Sequence, residues 1–544
     1  MENIVIVIGD VFSTEVEFGA KLKIINWNTT VVSSIARERK TVSPFKHRIV
    51  FDLDTLCAHT PAEARSPAAP LVNDDLQRVG QMVSDVDHLM FESRFESGNL
   101  RRAVQTGPKE YELFMSPDIN QSALHHQWFY FEVSNMEAED SYTFNVANGL
   151  KSRSMFQQGM QPVLFSVIEA ASGRSGWVRA GHTICYYRNQ YSAPVVNDPK
   201  SPTKAPKPRS NGVPKASDGF YTARFSVCFR HSHDVCYIAY HYPYPYSYFL
   251  TQMSQWNRIR SSELYYRLDT LCTSLGGNPM PVMTITRRGG TTSVRARQYV
   301  VLSARVHPGE SNSSWMMHGA IAFLLSDHPE ARELRSHFVF KVVPMLNPDG
   351  VINGSHRCSL SGHDLNRHWL TPSVTVHPEI YETKNLMLHL TETIGVKPFV
   401  FCDMHGHSKK CNVFLYGNNP EKSWLPRDHT LPHRYEFYEL PERLDQTAPA
   451  FSLNDCSFQI QRTKEGTGRI VAWRQLGIVR SYTMESTYCG CNVGPYQGKH
   501  LGTRELQEMG RCFCESLLDL IDRPSHPNTP SVSGTRGSTP GDLI

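Results

Sequence analysis

The chain has 544 residues, with 56 Lys and Arg against 52 Asp and Glu, a net charge of +4, and 40% hydrophobic content. That much apolar surface excludes a disordered chain, and no repeat supports a collagenous or coiled-coil rod. Near-neutrality excludes a global electrostatic clamp on nucleic acid, and no run of about 18 apolar residues predicts a transmembrane helix, so neither nucleic acid nor membrane is expected as a partner.

Residues 1–85 mix short apolar runs with polar and Pro/Ala stretches and are expected to form a partly ordered extension. The opening run Ile4–Ile8 has no basic flank and is bounded by Glu2 and Asp10, which argues against a signal peptide. Residues 86–252 read as an all-β sandwich. His126–Val133, Tyr142–Gly149, Ile184–Asn189, Ala223–Phe229 and Val235–Tyr244 are rich in aromatic and β-branched residues and are separated by turn formers. Inside this stretch, residues 195–218 form a Pro/Lys-rich loop too polar to pack, expected to be a solvated insertion, with an acidic partner as the other reading.

Residues 253–523 change to alternating strands and helices. Gln298–Val306, Phe338–Leu346, Pro398–Met404 and Gly477–Glu485 are predicted strands. Asn312–Leu325, Glu379–Thr393 and Arg504–Ile521 are predicted helices. The expected fold is α/β, a mixed sheet flanked by helices. Residues 524–544 read as a disordered tail. The thirteen cysteines include no CxxC and no zinc-finger spacing, so free thiols in a reducing compartment are expected.

His-x-x-Glu occurs three times, at His307/Glu310, His389/Glu392 and His433/Glu436. Only His307/Glu310 directly follows an apolar strand, with Pro308-Gly309 as the turn between its ligands. A second strand delivers His405 in the same way. Two imidazoles and one carboxylate leave a fourth coordination position open, as a catalytic zinc requires. By pattern alone, histidines satisfied in turns are an equal reading. HExxH, a P-loop, GxSxG and GxGxxG are all absent.

His307-Pro308-Gly309-Glu310, Asn347-Pro348-Asp349-Gly350, the run Arg357–Trp369, the segment Asp403–Ser408 and the run Ser481–Thr487 resemble the cytosolic carboxypeptidases. These are zinc metallocarboxypeptidases known as tubulin deglutamylases. Phe95–Leu100, Gly159–Pro162 and His241–Ser247 resemble the amino-terminal β domain of that family. The resemblance covers about residues 90–520, and its wording is nearest to the type 1 and type 4 members. Against those members the chain is short, so a long amino-terminal helical-repeat region is expected to be missing.

The resemblance implies a metallocarboxypeptidase-like fold, one Zn2+ ion held by His307, Glu310 and His405, and a cytosolic enzyme. Glu485 would be the general base toward the attacking water, and Arg357 would polarise the scissile carbonyl. Asn366 and Arg367 would hold the terminal α-carboxylate, and Asp364 would fix the tautomer of His307. Asp349 and His407 are read as turn residues or as part of the site. A glutamate-specific pocket needs a cation. Counting back from Glu485 points to Arg469, with Lys464 and Arg480 as alternatives, each of which could also be a solvated strand residue. The expected partner is tubulin or another glutamate-tailed protein, with association to microtubules. The competing readings are a zinc acylase acting on small acidic N-acyl compounds and a non-catalytic microtubule-binding protein.

Overall fold

The computed structural model describes residues 46–59, 78–80, 86–120, 125–174, 176–192, 219–259, 261–289, 294, 296–431 and 435–521. The expected loop at 195–218, the tail at 524–544, most of 1–85 and His433 lie outside the described residues.

The amino-terminal part is a sandwich of two sheets. The six-stranded sheet has the order β1-β3-β4-β6-β10-β9, and the five-stranded sheet the order β2-β5-β11-β7-β8. The strands are β1 (Arg48–Asp52), β2 (Met90–Glu92), β3 (Leu100–Gly107), β4 (Glu110–Met115), β5 (Tyr130–Ser134), β6 (Ser141–Gly149), β7 (Val163–Ser166), β8 (Trp177–Arg179), β9 (His182–Ser192), β10 (Gly219–Cys228) and β11 (Val235–Ala239). Strand β1 and helix α1 (Leu53–His59) fall inside the stretch read as an extension, yet β1 pairs antiparallel with β3. The inward faces supply aromatic rings: Phe129, Phe131, Phe144 and Phe225 pack with centroids 5.6 to 6.2 Å apart. Offset or tilted ring pairs at this spacing add to the area they bury. After α2 (Val167–Ala171), helix α3 (Tyr246–Trp256) leads out of the sandwich.

The second part is built on a seven-stranded sheet, order β12-β13-β15-β14-β16-β18-β17. Its strands are β12 (Leu264–Thr273), β13 (Pro279–Arg287), β14 (Gln298–Ala304), β15 (Phe338–Val343), β16 (Val400–His407), β17 (Val413–Tyr416) and β18 (Arg480–Thr487). The middle strands β15, β14, β16 and β18 are mutually parallel, and the edge strands are antiparallel. The β12–β13 hairpin and β17 do not figure in the sequence reading: β12 and β17 are edge strands, which lack the continuous apolar run that marks the centre of a sheet, and in β13 Pro279 and Pro281 weaken the strand signal.

The helices are α4 (Ser311–Leu325), α5 (Pro329–His337), α6 (Pro348–Ile352), α7 (Pro378–Leu388), α8 (Glu436–Thr447), α9 (Gly468–Leu476) and α10 (Thr503–Glu515). Side chains alternate across β14. Val300, Leu302 and Ala304 pack in one core with Met316 of α4 and Met509 of α10, while Val301 joins Phe401, Trp369 and Val471 in another. Where α4 crosses α10, a Cβ on Gly319 would sit 2.0 Å from Gln507 O and one on Gly510 would sit 1.9 Å from Met316 O. Glycine there lets the two backbones touch. All thirteen cysteines are free thiols.

Candidate metal centre and active-site cleft

Strand β14 ends at Ala304, and the chain turns at once toward the carboxyl edge of the sheet. Arg305 takes a left-handed backbone conformation, φ 60°, which costs a non-glycine residue about 1–3 kcal/mol. Its buried guanidinium holds the turn by donating to Pro308 O (2.7 Å), Tyr244 O (3.0 Å) and Ser314 Oγ (2.9 Å). The turn then presents His307, and Glu310 follows as the residue capping α4. Strand β16 carries His405, which is in register with Glu485 on β18. Parallel strands thus bring all four side chains to one end of the sheet.

One ligand atom from each of His307, Glu310 and His405 lies within 4.8 Å of the others. His307 Nδ1 is 2.8 Å from Glu310 Oε1, and His405 Nδ1 is 2.9 Å from Glu310 Oε2. On the far side of each ring stands a carboxylate: Asp364 Oδ1 is 3.1 Å from His307 Nε2, and Asp403 Oδ2 is 2.7 Å from His405 Nε2. Each Nε2–H therefore has an anionic acceptor, and each Nδ1 lone pair faces Glu310. Lone pairs and a carboxylate repel unless a cation sits among them, so the donor set fits a divalent ion such as zinc. Burial pushes the Glu310 carboxyl upward, but His307 and His405 more than offset it and hold it well below the usual range. Glu485 is raised to about 7, mainly by burial and further by Glu310, against His405, His307 and Arg357. Its Oε2 is buried without a hydrogen-bond partner.

A cleft of about 570 Å³ opens over this centre, and Arg357, Asn366, Arg367, Lys464, Arg469 and Glu485 all line it. Arg357 donates from Nε to Asp364 Oδ2 (2.8 Å). Asn366 accepts at Oδ1 from Gly468 N–H (3.0 Å), which ties its turn to the start of α9. Arg367 Nη1 donates to Asn366 O (2.8 Å). Arg469 lies on α9, not on a strand; the αL residue Gly477 (φ 66°) ends that helix. Its buried guanidinium donates to Gly417 O and to Asn418 Oδ1 (2.7 Å), both neutral. Burial lowers it to about 10.

Arg480 is not in the cleft. It opens β18, five residues before Glu485, and a strand rises about 3.3 Å per residue. That puts it at the opposite end of the sheet, where Nη2 donates to Glu439 Oε2 (2.7 Å) and the guanidinium stacks on Phe399 at 4.3 Å. Asp349 does not line the cleft either. It accepts from Ser274 Oγ (2.6 Å), Gly276 N–H (2.7 Å) and Asn278 Nδ2 (2.8 Å), a turn-holding role. His407 does line the cleft.

The sandwich contributes residues absent from the sequence reading. Lys151 and Arg153 line the cleft, as do Lys409 and Tyr416 from the second part. Lys151 Nζ donates to Ser408 Oγ (3.2 Å), and burial, helped by Arg357, lowers it to about 8. Asp118, also from the sandwich, accepts three consecutive backbone N–H groups: His356 (2.5 Å), Arg357 (2.7 Å) and Cys358 (2.7 Å). Asn120 Nδ2 donates to Leu360 O (2.6 Å) on the same loop. The sandwich thus fixes the loop that carries Arg357. No local signal joins Asp118 to residues 238 to 240 positions away.

The zinc carboxypeptidase family profile matches residues 261–497, and that of the cytosolic carboxypeptidase N-terminal domain matches residues 91–193. Cytosolic carboxypeptidase 4 of Mus musculus is 49% identical over 449 residues, covering 79% of this chain and 38% of the relative. Cytosolic carboxypeptidase 1 of Danio rerio is 48% identical over 445 residues, covering 80% and 37%. The chain therefore spans about two fifths of the length of these relatives. Among solved structures, a metallo-carboxypeptidase from Burkholderia cenocepacia superposes with a TM-score of 0.61 at 19% identity, covering 80% of this chain and 99% of that one. At that identity the likeness establishes the fold.

Proposed function

The chain belongs to the cytosolic carboxypeptidase family, and from that premise we propose that it is a zinc metallocarboxypeptidase that removes C-terminal glutamate from acidic protein tails in the cytosol, polyglutamylated tubulin foremost. The observation that carries the glutamate specificity is Arg469, a buried cation facing the cleft with neutral hydrogen-bond partners only among the contacts described. A buried charge without a counterion is costly, and a substrate carboxylate removes that cost. The rest of the wall agrees. Lys151, Arg153, Arg357, Arg367, Lys409 and Lys464 surround the same cleft, against the two carboxylates Glu310 and Glu485.

In this reading His307, Glu310 and His405 hold the zinc ion. Bound zinc supplies Lewis acidity, polarising a carbonyl and making water a stronger acid. Glu485 accepts the proton of the attacking water at the unpartnered Oε2 and passes it to the leaving amine. Arg357 stabilises the negative charge that develops on the carbonyl oxygen. Arg367 and Asn366 clamp the terminal α-carboxylate, which restricts cleavage to the chain end. Asp364 keeps the His307 proton on Nε2. Lys151, Arg153 and Lys409, which line the same cleft, would meet glutamates upstream of the scissile bond.

The test is mass spectrometry of glutamate-tailed peptides and of tubulin before and after treatment. Stepwise loss of glutamate with wild type, and none with Glu485→Gln, is the expected result. Turnover of N-acyl amino acids alone would instead assign an acylase.

A further inference from the structure

The turn that carries Asn366 and Arg367 holds a second group of metal-competent side chains on its outer side. His363 and His368 bracket residues 364–367, and His377 caps the start of α7. One ring nitrogen from each lies within 4.8 Å of the other two. His363 Nδ1 and His377 Nε2 are 2.9 Å apart, and the His368 ring stacks on those of His377 (centroids 4.1 Å, interplanar 21°) and His363 (4.9 Å, 26°), so its ring must turn edge-on to share an ion with them. None of the three lines the cleft, so this cluster is separate from the centre at His307, Glu310 and His405.

We propose that His363, His368 and His377 form a second metal site, for a borderline divalent ion of the Zn2+ class, that fastens the 364–367 turn to the start of α7. Three imidazoles suit zinc, copper or nickel and disfavour the hard ions Mg2+ and Ca2+, which require oxygen donors. His363 is exposed and His377 buried, so the site is anchored on one side and open to a water ligand on the other. Binding has a definite cost. Ser373 N–H donates to His377 Nδ1 at 3.3 Å. For Nε2 to ligate, the ring proton must move to Nδ1, so both that long contact and the 2.9 Å hydrogen bond from His377 Nε2–H to His363 Nδ1 are given up. The return is a cross-link between two residues of the clamp turn and a helix end, which restricts the motion of Arg367.

The test uses the full chain dialysed against Zn2+, with metal per chain read by inductively coupled plasma mass spectrometry. Wild type is expected to hold two equivalents. His363→Asn and His368→Gln should each hold one, and His307→Ala should also hold one, because it loses the other centre. In a thermal-shift titration, Zn2+ should raise the Tm of His307→Ala but give no second increment in His363→Asn. His363 is exposed, so its replacement leaves the core intact. One equivalent in wild type, or two equivalents retained in both His363→Asn and His368→Gln, overturns the proposal. Because the outer site is read in the His307→Ala background, its failure is distinguishable from failure of the catalytic reading.

Discussion

The two ends of the central sheet hold cavities of nearly equal volume, about 570 Å³ at the carboxyl ends of the parallel strands and about 580 Å³ at their amino ends. Each contains an arginine that the sequence offers as a partner for glutamate, and the two are treated in opposite ways. At the amino end Arg480 is matched by Glu439 and covered by Phe399. At the carboxyl end Arg469 is buried against a carbonyl and an amide oxygen. A matched cation has its electrostatic work done within the fold, whereas a cation held by neutral dipoles retains its charge for a ligand. Strand direction decides which end carries chemistry, since loops leaving the carboxyl ends are free to converge.

The comparison breaks most directly at Glu485. Glu485→Gln should lower kcat for glutamate release by about 10²–10⁴-fold while zinc content stays unchanged. Kinetics paired with metal analysis check this, and undiminished turnover would falsify the assigned base. Next is Arg469→Ala, expected to lower kcat/KM on glutamate-tailed peptides by about 10²–10³-fold, the scale of a broken buried ion pair. Leucine-tailed peptides should lose far less, and an equal loss on both would remove Arg469 from specificity.

Asp118→Ala asks how far the sandwich supports the carboxyl end. Three buried N–H groups lose their acceptor, so stability should fall by roughly 2–4 kcal/mol. With Arg357 no longer held, kcat should drop on the order of tenfold with little change in zinc content. Denaturant titration and steady-state kinetics read the two effects separately.

Two carboxylates, each with a buried oxygen, sharpen the role of burial. Glu485 is raised to about 7 and lines the cleft, whereas Glu379 on α7 is raised to about 8 by burial, with Asp349 adding, and does not line the cleft. Its Oε2 also has no hydrogen-bond partner. The folded pKa of Glu379 exceeds the ordinary 4.5, so the folded chain holds this proton more tightly than the unfolded one. Its stabilising effect is complete below about pH 4.5 and is lost as pH rises toward 8. Glu379→Gln should therefore stabilise the protein at pH 9, by a few kcal/mol at most, and leave it little changed at pH 5. A Tm difference independent of pH would show that Glu379 does not titrate this way. The smallest effect belongs to Arg480→Ala, expected to cost about 1 kcal/mol of stability and to leave kcat/KM within about twofold. A large loss of activity would return Arg480 to the site.

The central strands β14, β15, β16 and β18, the helices α4, α7 and α10, the turn that carries His307 and Glu310, and the strand that delivers His405 were legible in the chain. Each is written in contiguous residues: an apolar run for a central strand, turn formers at its end, a helical period after it. The motifs around Arg357, Asn366, Arg367 and Glu485 were legible through their resemblance to a known family, since no periodicity or turn chemistry marks them. The secondary structure of Arg469 was not, because a short buried helix such as α9 is apolar on most sides and lacks a clear period.

Tertiary structure alone decided three things. It placed Arg469 and Arg480 at opposite ends of the sheet, a consequence of strand direction. It brought Lys151, Arg153 and Asp118 from the sandwich to the cleft and to the loop behind it, across hundreds of residues with no local pattern to announce them. It also gathered His363, His368 and His377, which the sequence spaces irregularly, into one cluster. Local sequence determines local conformation and the chemistry each segment carries. Which charges meet, and which remain unmatched, depends on packing between distant segments.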